Sequence, residues 1–377
     1  MIVPEDARRF AGRALGSWRR RRGTTPPAVD ATGFYAATTV GPGPRGAVLA
    51  TESMSGPAGA TTWRVRYRTL DAADRPVVAS MAIAAPTGPA ATPRPVVAWV
   101  HGAVGVAPGC GPSRTGFDAW YGDRLLGEGC VVVAPDLTGL GVEGSTHPYL
   151  HGLTAGRAVL DAVRAAAELS TTGAGPVTGL AGHSAGGHAV LWANELAATA
   201  EGDGLDVRLA VPMSPIGDLT VTMARYADDD GRAAFPVQLA ATWADVEPVV
   251  PADALTPAAL ARLDDLHTKR LAGLQHTFRG HATRWIRPGG LTTGAWAAAL
   301  ERQSAGRRPG AAPVLLVHGE ADDDALVGWT TTLAETIRTT GTEVTLRTYP
   351  ATDHMAIHDA AQDDVLASLS RALGDDG

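Results

Sequence analysis

Six short apolar runs recur along the chain, and each is bounded by proline, glycine or aspartate. They place valines and leucines at consecutive positions, without the alternation of a strand that has one face in water. Such runs are typical of strands covered on both faces in a parallel sheet. The runs are residues 95–102, 130–136, 176–182, 207–214, 313–319 and 343–350. The pattern therefore predicts a mostly parallel sheet that is buried from both sides.

Helical patterns lie between these runs. Residues 154–170 carry alanine, valine and leucine at helical spacing with charged residues elsewhere, and Thr154 suits the N-cap of this helix. Upstream, residues 62–86 alternate between apolar and polar positions around a polar DAAD turn, which predicts two antiparallel strands. Because strands and helices alternate, we expect a doubly wound α/β sheet with an antiparallel beginning.

This alternation stops after residue 214. Residues 215–310 contain no clear strand, but they contain several helix-like pieces and three tryptophans. A crossover connection is usually far shorter, so the segment is predicted to be a helical cap inserted over the carboxyl edge of the sheet. The predicted organisation is a disordered leader (1–30), an α/β core made of residues 31–214 and 311–377, and the cap (215–310).

Composition narrows the class of protein. Of the 377 residues, 45% are hydrophobic and 19% are charged, which is ordinary for a soluble globular protein. The formal net charge of −7 argues against a nucleic-acid partner, which would need clustered lysines and arginines. No apolar stretch approaches the roughly 18 residues needed to span a bilayer, so no integral membrane segment is expected. The sequence leaves the oligomeric state open.

Two further features bear on the compartment. The arginine-rich start of the chain lacks the apolar core of a secretory signal, so the chain as written is expected to be cytoplasmic. Only Cys110 and Cys130 occur, and two cysteines imply no disulfide framework. A bridge between them stays open, although Cys130 begins an apolar run and is expected to be a buried free thiol.

The stretch GHSAG places Ser184 between two glycines. In a chain with 45 glycines this motif alone is a weak signal. It stands, however, between a predicted strand and a predicted helix, which is the setting that holds a nucleophilic serine on a strained turn. Gly182 and Gly186 fit this setting because a side chain at either position would collide with neighbouring backbone. We therefore predict that Ser184 is a nucleophile.

A serine hydroxyl needs a base, and the base needs an orienting carboxylate. In this type of fold the acid and then the base follow the serine along the chain. His354 directly follows the last predicted strand and is preferred as the base over His358, one turn later. Three consecutive aspartates follow the preceding strand; their spacing from it favours Asp322, with Asp323 and Asp324 as alternatives.

The oxyanion of the reaction needs two backbone donors. The N–H of Ala185, the residue after the nucleophile, is expected to supply one. The loop HGAVG (101–105) is expected to supply the other, with Ala103 preferred and Val104 next. No cofactor or metal is called for, since the two histidine pairs at i, i+4 spacing lack the flanking glutamate of a zinc motif.

These segments resemble the secretory lipase family of α/β hydrolases, which includes the fungal lipase A enzymes. The resemblance rests on WVHGAVGVAPGCGPS, VVVAPDLTGLGVEGSTHPYL, GHSAGGHAVLWANELA and TYPATDH, and it is weakest across residues 215–310. It implies an α/β-hydrolase fold with a helical cap. It also implies Ser184, Asp322 and His354 as the catalytic triad and Ala103 and Ala185 as the oxyanion positions.

The resemblance implies a serine carboxylic-ester hydrolase that acts on acylglycerols or other lipophilic esters, with contact at a lipid interface and with secretion. Two departures stand out: the secretory signal is missing, and the chain reads HGAVG where relatives often read HGTTG. The missing signal supports a second hypothesis, an intracellular acyltransferase or cyclase that uses the same acyl-enzyme. A third hypothesis, a binding protein on an inactive scaffold, is disfavoured by the intact serine, aspartate and histidine. Acyl length and alcohol moiety stay open.

Overall fold

The computed structural model describes residues 33–374, so the predicted leader (1–30) lies outside the described residues. Within that range nine strands form one sheet. They are β1 (Val48–Ser53), β2 (Ala60–Leu70), β3 (Pro76–Pro86), β4 (Arg94–Val100), β5 (Val131–Pro135), β6 (Ala174–His183), β7 (Asp206–Met213), β8 (Val314–Gly319) and β9 (Val344–Tyr349). Their order across the sheet is β1-β2-β3-β5-β4-β6-β7-β8-β9.

The six apolar runs of the sequence are the six parallel strands β4 to β9. Strands β1, β2 and β3 pair antiparallel, and β3 pairs antiparallel with β5. From β5 to β9 every pairing is parallel. Strand β4 pairs with β5 on one side and with β6 on the other, so the chain reverses its winding direction at β4. The loops that leave β4 and β6 therefore meet at a topological switch point, where open α/β sheets bind ligands.

Helices cover both faces of this sheet. Those outside the 215–310 segment are α1 (Gly122–Gly127), α2 (Gly152–Glu168), α3 (Ala185–Ala197), α11 (Val327–Thr339), α12 (Ile357–Ala360) and α13 (Gln362–Gly374). Helices α2, α3 and α11 share one apolar cluster with Val96 and Val100, whereas α1 and α13 share another with Val97 and Trp99. Successive residues of β4 thus enter opposite clusters. Two apolar faces explain why the strands carry no polar alternation.

One local prediction was wrong. The predicted helix 154–170 is α2, and its N-cap is His151 rather than Thr154. Thr154 lies within the first turn, where its hydroxyl donates to the carbonyl of His151 at 3.1 Å. The imidazole of His151 supplies the capping acceptor for the N–H of Thr154. A threonine near a helix start fits either position by sequence alone, and the turn that precedes the helix decides between them.

The segment 215–310 connects β7 to β8 and is helical. Its helices are α4 (Leu219–Asp228), α5 (Ala234–Thr242), α6 (Pro251–Ala254), α7 (Pro257–Leu260), α8 (Asp265–Thr268), α9 (Leu271–Thr277) and α10 (Gly294–Gln303). They enclose an apolar cluster of their own, which includes Trp243 and Trp296 and extends onto Val106 and Tyr149 of the core loops. We propose that this segment is the cap, because it packs on loops at the carboxyl edge of the sheet.

The two ends of this segment are held together. The N–H of Ala305 donates to the carbonyl of Gly217 at 2.9 Å. Close by, the buried Glu195 of α3 accepts hydrogen bonds from the backbone N–H groups of Gly306 and Arg307 and from the side chain of Arg308. The returning chain is therefore bound directly to α3, the helix that follows Ser184.

We expect Glu195→Ala to lower the free energy of unfolding by about 2 kcal/mol, because buried backbone donors lose their acceptor. Glu301→Ala is the matched control, since Glu301 makes an exposed ion pair with Arg307 at 3.2 Å and such pairs contribute little. Urea denaturation of both variants measures the difference. Equal stability of the two variants would show that Glu195 does not hold the segment.

Candidate active site

Ser184 lies on a strained turn between β6 and α3. Its backbone has φ 57° and ψ −118°, a conformation that non-glycine residues rarely adopt. Hydrogen bonds hold the turn on both sides: the N–H of Ser184 donates to the carbonyl of Met213 at 2.9 Å, and its carbonyl accepts from the N–H of His188 at 3.1 Å. The hydroxyl is thus presented at the carboxyl end of β6, as a nucleophile elbow requires.

The glycines of the motif are required by close approach of the backbone. A Cβ atom at Gly186 would lie 2.1 Å from the carbonyl oxygen of Val100. A Cβ atom at Gly182 would lie 2.6 Å from the carbonyl oxygen of Gly186. A side chain at either position would therefore collide with backbone, as expected from the sequence: at Gly186 with β4 and at Gly182 with the turn itself. Any side chain here would push α3 away from the sheet.

The structure brings His354 and Asp322 together. The Nδ1 atom of His354 lies 2.7 Å from Oδ2 of Asp322, whose side chain is buried. The other two aspartates face away: Asp323 is exposed and pairs with Arg225, and Asp324 pairs with Arg232. Among the three acidic candidates, only Asp322 contacts the imidazole.

The alternative base, His358, lies elsewhere. It is buried on α12, where its ring stacks on Trp120 with a centroid separation of 3.9 Å. Its backbone carbonyl accepts a hydrogen bond from the hydroxyl of Tyr121 at 2.6 Å. These contacts fix His358 as a packing residue behind the turn that carries His354.

Four donors surround the carboxylate of Asp322. Its Oδ1 accepts from the N–H groups of Asp324 at 3.0 Å and Ala325 at 2.8 Å. Its Oδ2 faces His354 and also Nε2 of His318 at 3.3 Å. Burial alone raises the pKa of Asp322, but the hydrogen bonds from His318 and His354 outweigh it and hold the pKa well below its usual range. The group is therefore ionised at neutral pH.

His183 connects the serine turn to the histidine loop. Its Nε2 lies 2.7 Å from the carbonyl oxygen of His354, and the two rings are 4.5 Å apart. Burial holds the pKa of His183 well below its ordinary value, so the ring is neutral and donates from Nε2. Across residues 33–374 no hydrogen bond joins the hydroxyl of Ser184 to His354. The link between their two loops is His183, the residue before Ser184, and catalytic hydrogen bonds often tighten only with substrate.

The two predicted oxyanion residues face one small cavity. Ala103, in the loop after β4, and Ala185, the first residue of α3, both line a space of about 10 Å³, with Leu137 and Tyr149 among its walls. Within the described chain, neither alanine N–H has a hydrogen-bond acceptor. The first N–H groups of α3 also carry the positive end of the helix dipole. The cavity can therefore accept a single anionic oxygen.

The DLTGLG segment, which carries much of the family resemblance, holds the loop after β5. Asp136 is buried and accepts from the hydroxyl of Ser80 at 2.6 Å and from the N–H of Ser113 at 2.9 Å. Burial raises its pKa to about 6. A Cβ atom at Gly141 would lie 1.9 Å from the hydroxyl oxygen of Ser80. This motif is therefore structural: it fixes the loop that lines the small cavity.

A larger cleft of about 760 Å³ lies on the far side of the same loop. Its walls include Thr138 and Pro148 from the loop after β5, Thr242 and Leu266 from the helical segment, and Asp71 from the β2–β3 turn. A space of this volume matches small-molecule sites in other proteins. Both cysteines are free and buried, and no group of three His, Cys, Asp or Glu side chains in residues 33–374 is arranged to hold a metal ion.

Comparisons with known proteins place these observations in context. The model of the secretory lipase family matches residues 112–371. Curated proteins give no match to the chain in sequence. In the part of the chain that the structure describes, no helix has the length and apolar character to cross a membrane.

Solved structures share the fold at low sequence identity. The rice cell wall degrading esterase LipA from Xanthomonas oryzae aligns with a TM-score of 0.73 and 18% identity, over 88% of this chain and 99% of that one. Candida antarctica lipase A aligns with a TM-score of 0.73 and 18% identity, over 95% of this chain and 86% of that one. These likenesses show the α/β-hydrolase fold.

The close approach at the turn generates a stability prediction. We expect Gly186→Ala to lower the free energy of unfolding by about 3 kcal/mol, since the new Cβ must displace the backbone of Val100. Gly328→Ala is the control, because a Cβ atom there meets nothing within 4 Å and alanine favours the helix by up to about 1 kcal/mol. Thermal and urea unfolding measure both variants. A Gly186→Ala protein as stable as the parent would contradict the role assigned to this glycine.

Proposed function

Because this chain belongs to the secretory lipase family of carboxylic ester hydrolases, we propose that Ser184, His354 and Asp322 form its catalytic triad. The observation that carries the proposal is the 2.7 Å contact between His354 and the buried Asp322, beside a serine held at positive φ. The ionised state of Asp322 supports it, because the acid of a triad must hold a cationic imidazole.

The proposed cycle proceeds through an acyl-enzyme. The Nδ1–H of His354 donates a hydrogen bond to Asp322, which leaves the lone pair of Nε2 to accept the proton of the Ser184 hydroxyl. The serine oxygen attacks the ester carbonyl, the tetrahedral intermediate collapses, and His354 returns the proton to the departing alcohol. Water, deprotonated by His354, then attacks the acyl-enzyme; as the bond to the serine oxygen breaks, His354 returns the proton to Ser184 and the acid is released. The cycle uses protein groups and water alone.

The N–H groups of Ala103 and Ala185 are proposed to stabilise the oxyanion. Both line the 10 Å³ cavity, and an oxyanion there would satisfy two donors that have no acceptor within the described chain. In comparable sites one such donor contributes roughly 3 kcal/mol to the transition state. Because both donors belong to the backbone, the Ala103 and Val104 side chains of HGAVG need supply no hydroxyl.

Substrates are proposed to be lipophilic carboxylic esters, acylglycerols among them. Support comes from the apolar residues that surround the candidate site, including Leu137, Leu140 and Tyr149. The solved structures with the same fold include one named as an esterase and one named as a lipase.

We expect Ser184→Ala to lower the hydrolysis of p-nitrophenyl esters at least about 1,000-fold at every chain length from acetate to palmitate. A fluorophosphonate probe should label Ser184 in the parent and nothing in this variant. Ser145→Ala, at the exposed rim of the larger cleft, should keep full turnover. Turnover that survives in purified, folded Ser184→Ala would refute the proposed nucleophile.

Product analysis tests hydrolysis against acyl transfer. With a competing alcohol at a concentration far below that of water, we expect free carboxylic acid as the main product, because water reaches the acyl-enzyme freely in a hydrolase. Liquid chromatography of the products measures the ratio of acid to new ester. Ester as the dominant product would instead identify a dedicated acyltransferase built on the same acyl-enzyme.

A further inference from the structure

We propose that His318 is a positioning residue of the active site, which holds the Asp322 carboxylate in register with His354. The inference rests on the proposed triad and adds a residue that the triad chemistry does not require. His318 lies in β8, four residues before Asp322, and its side chain is fully buried. A buried imidazole inside an otherwise apolar strand needs hydrogen-bond partners, and the partners of this one belong to the loop that carries the acid.

The hydrogen bonds of His318 define its tautomer. Its Nε2 lies 2.8 Å from the carbonyl oxygen of Ala325, which can only accept, so the proton is on Nε2. The hydroxyl of Thr330, which can donate or accept, lies 2.8 Å from Nδ1. Both ring nitrogens therefore have a partner. The same Nε2 also lies 3.3 Å from Oδ2 of Asp322.

Through the Nε2 atom of His318, β8 contacts both the loop of residues 322–325 and the carboxylate of Asp322. Rotation of the Asp322 side chain is opposed at Oδ1 by two backbone donors of its own loop. That loop is in turn tied to the strand by the contact between His318 and Ala325. Without His318, the loop of residues 322–325 would keep a bond to β8 only from the N–H of Asp322 to Gly319 at 3.3 Å. Among the described residues, Oδ2 would then keep His354 as its only side-chain donor.

The arrangement has an electrostatic consequence. Titratable groups from several elements interact electrostatically with the carboxylate of Asp322. They are His318 from β8, His354 from the turn after β9, His183 from the serine turn and Tyr226 from α4. The Nε2–H of His318, with its nitrogen 3.3 Å from Oδ2, offsets part of the negative charge there. This limits how strongly Asp322 stabilises the protonated His354. Loss of His318 should therefore strengthen the attraction between Asp322 and the protonated imidazole.

We expect His318→Phe to lower kcat about 10- to 100-fold with KM changed less than about threefold, because the general base is misplaced while the substrate cleft is intact. The acid limb of the kcat/KM profile should move to higher pH. His318→Gln should restore most of kcat, since its amide reaches the same acceptors. His318→Asn should not, since its amide is too short to reach them.

A double-mutant cycle separates positioning from general stability. If His318 acts through the acid, His318→Phe should have little further effect on kcat in an Asp322→Asn background. His151→Phe is the matched control: His151 is another buried histidine, which faces Glu247 at 3.6 Å and not the triad. It should lower the melting temperature without moving the pH profile.

The possible results separate failure of the positioning role from failure of the proposed triad. Unchanged kcat and pH profile in His318→Phe, equal rates for the Gln and Asn variants, or additive effects in the cycle would each overturn the positioning role. If His318→Phe does not fold, the Gln and Asn variants decide by their relative rates. If Asp322→Asn and Ser184→Ala also keep full turnover, the proposed triad itself has failed, which is a distinct result.

Discussion

The site depends on how closely the backbone of the serine turn approaches β4. A positive φ at Ser184 is costly for a residue with a side chain, and it persists because bonds to Met213 and His188 hold the turn from both sides. Gly182 and Gly186 let the turn lie against the sheet at distances that exclude a Cβ atom. The direction of α3, the exposure of the hydroxyl and the location of the small cavity all follow from this contact.

Around the serine, histidines serve in different ways according to their surroundings. His354 is half-buried beside an ionised carboxylate, which suits a group that must gain and lose a proton. His183 and His318 are buried and donate from Nε2 to backbone carbonyls, which holds loops in place. Low exposure keeps His183 neutral, so no second positive charge opposes the imidazolium of the base. In the proposed site, histidines thus provide both the general base and the contacts that hold its loop.

Much of this architecture could be predicted from the sequence, because continuous apolar runs between turn residues indicate strands that are covered on both faces. The proposed acid and base were singled out by their position just after two such strands, and the structure brings Asp322 and His354 into contact. His318 could not: within VLLVHG it reads as part of a strand, and its role depends on a loop that folds back onto it. A histidine inside an apolar run, four residues before an aspartate, is the signal available. The N-cap residue of α2 was predicted wrongly because the turn before the helix, not local preference, selects His151 over Thr154.

The bond between Ala305 and Gly217 has a consequence for how such a protein diversifies. Because the N–H of Ala305 donates to the carbonyl of Gly217 at 2.9 Å, the chain leaves the core and returns to it at one place. A change of length between these two residues would leave both anchor points in place. If the segment is a cap, as proposed, its sequence and that of the sheet can therefore diverge at different rates.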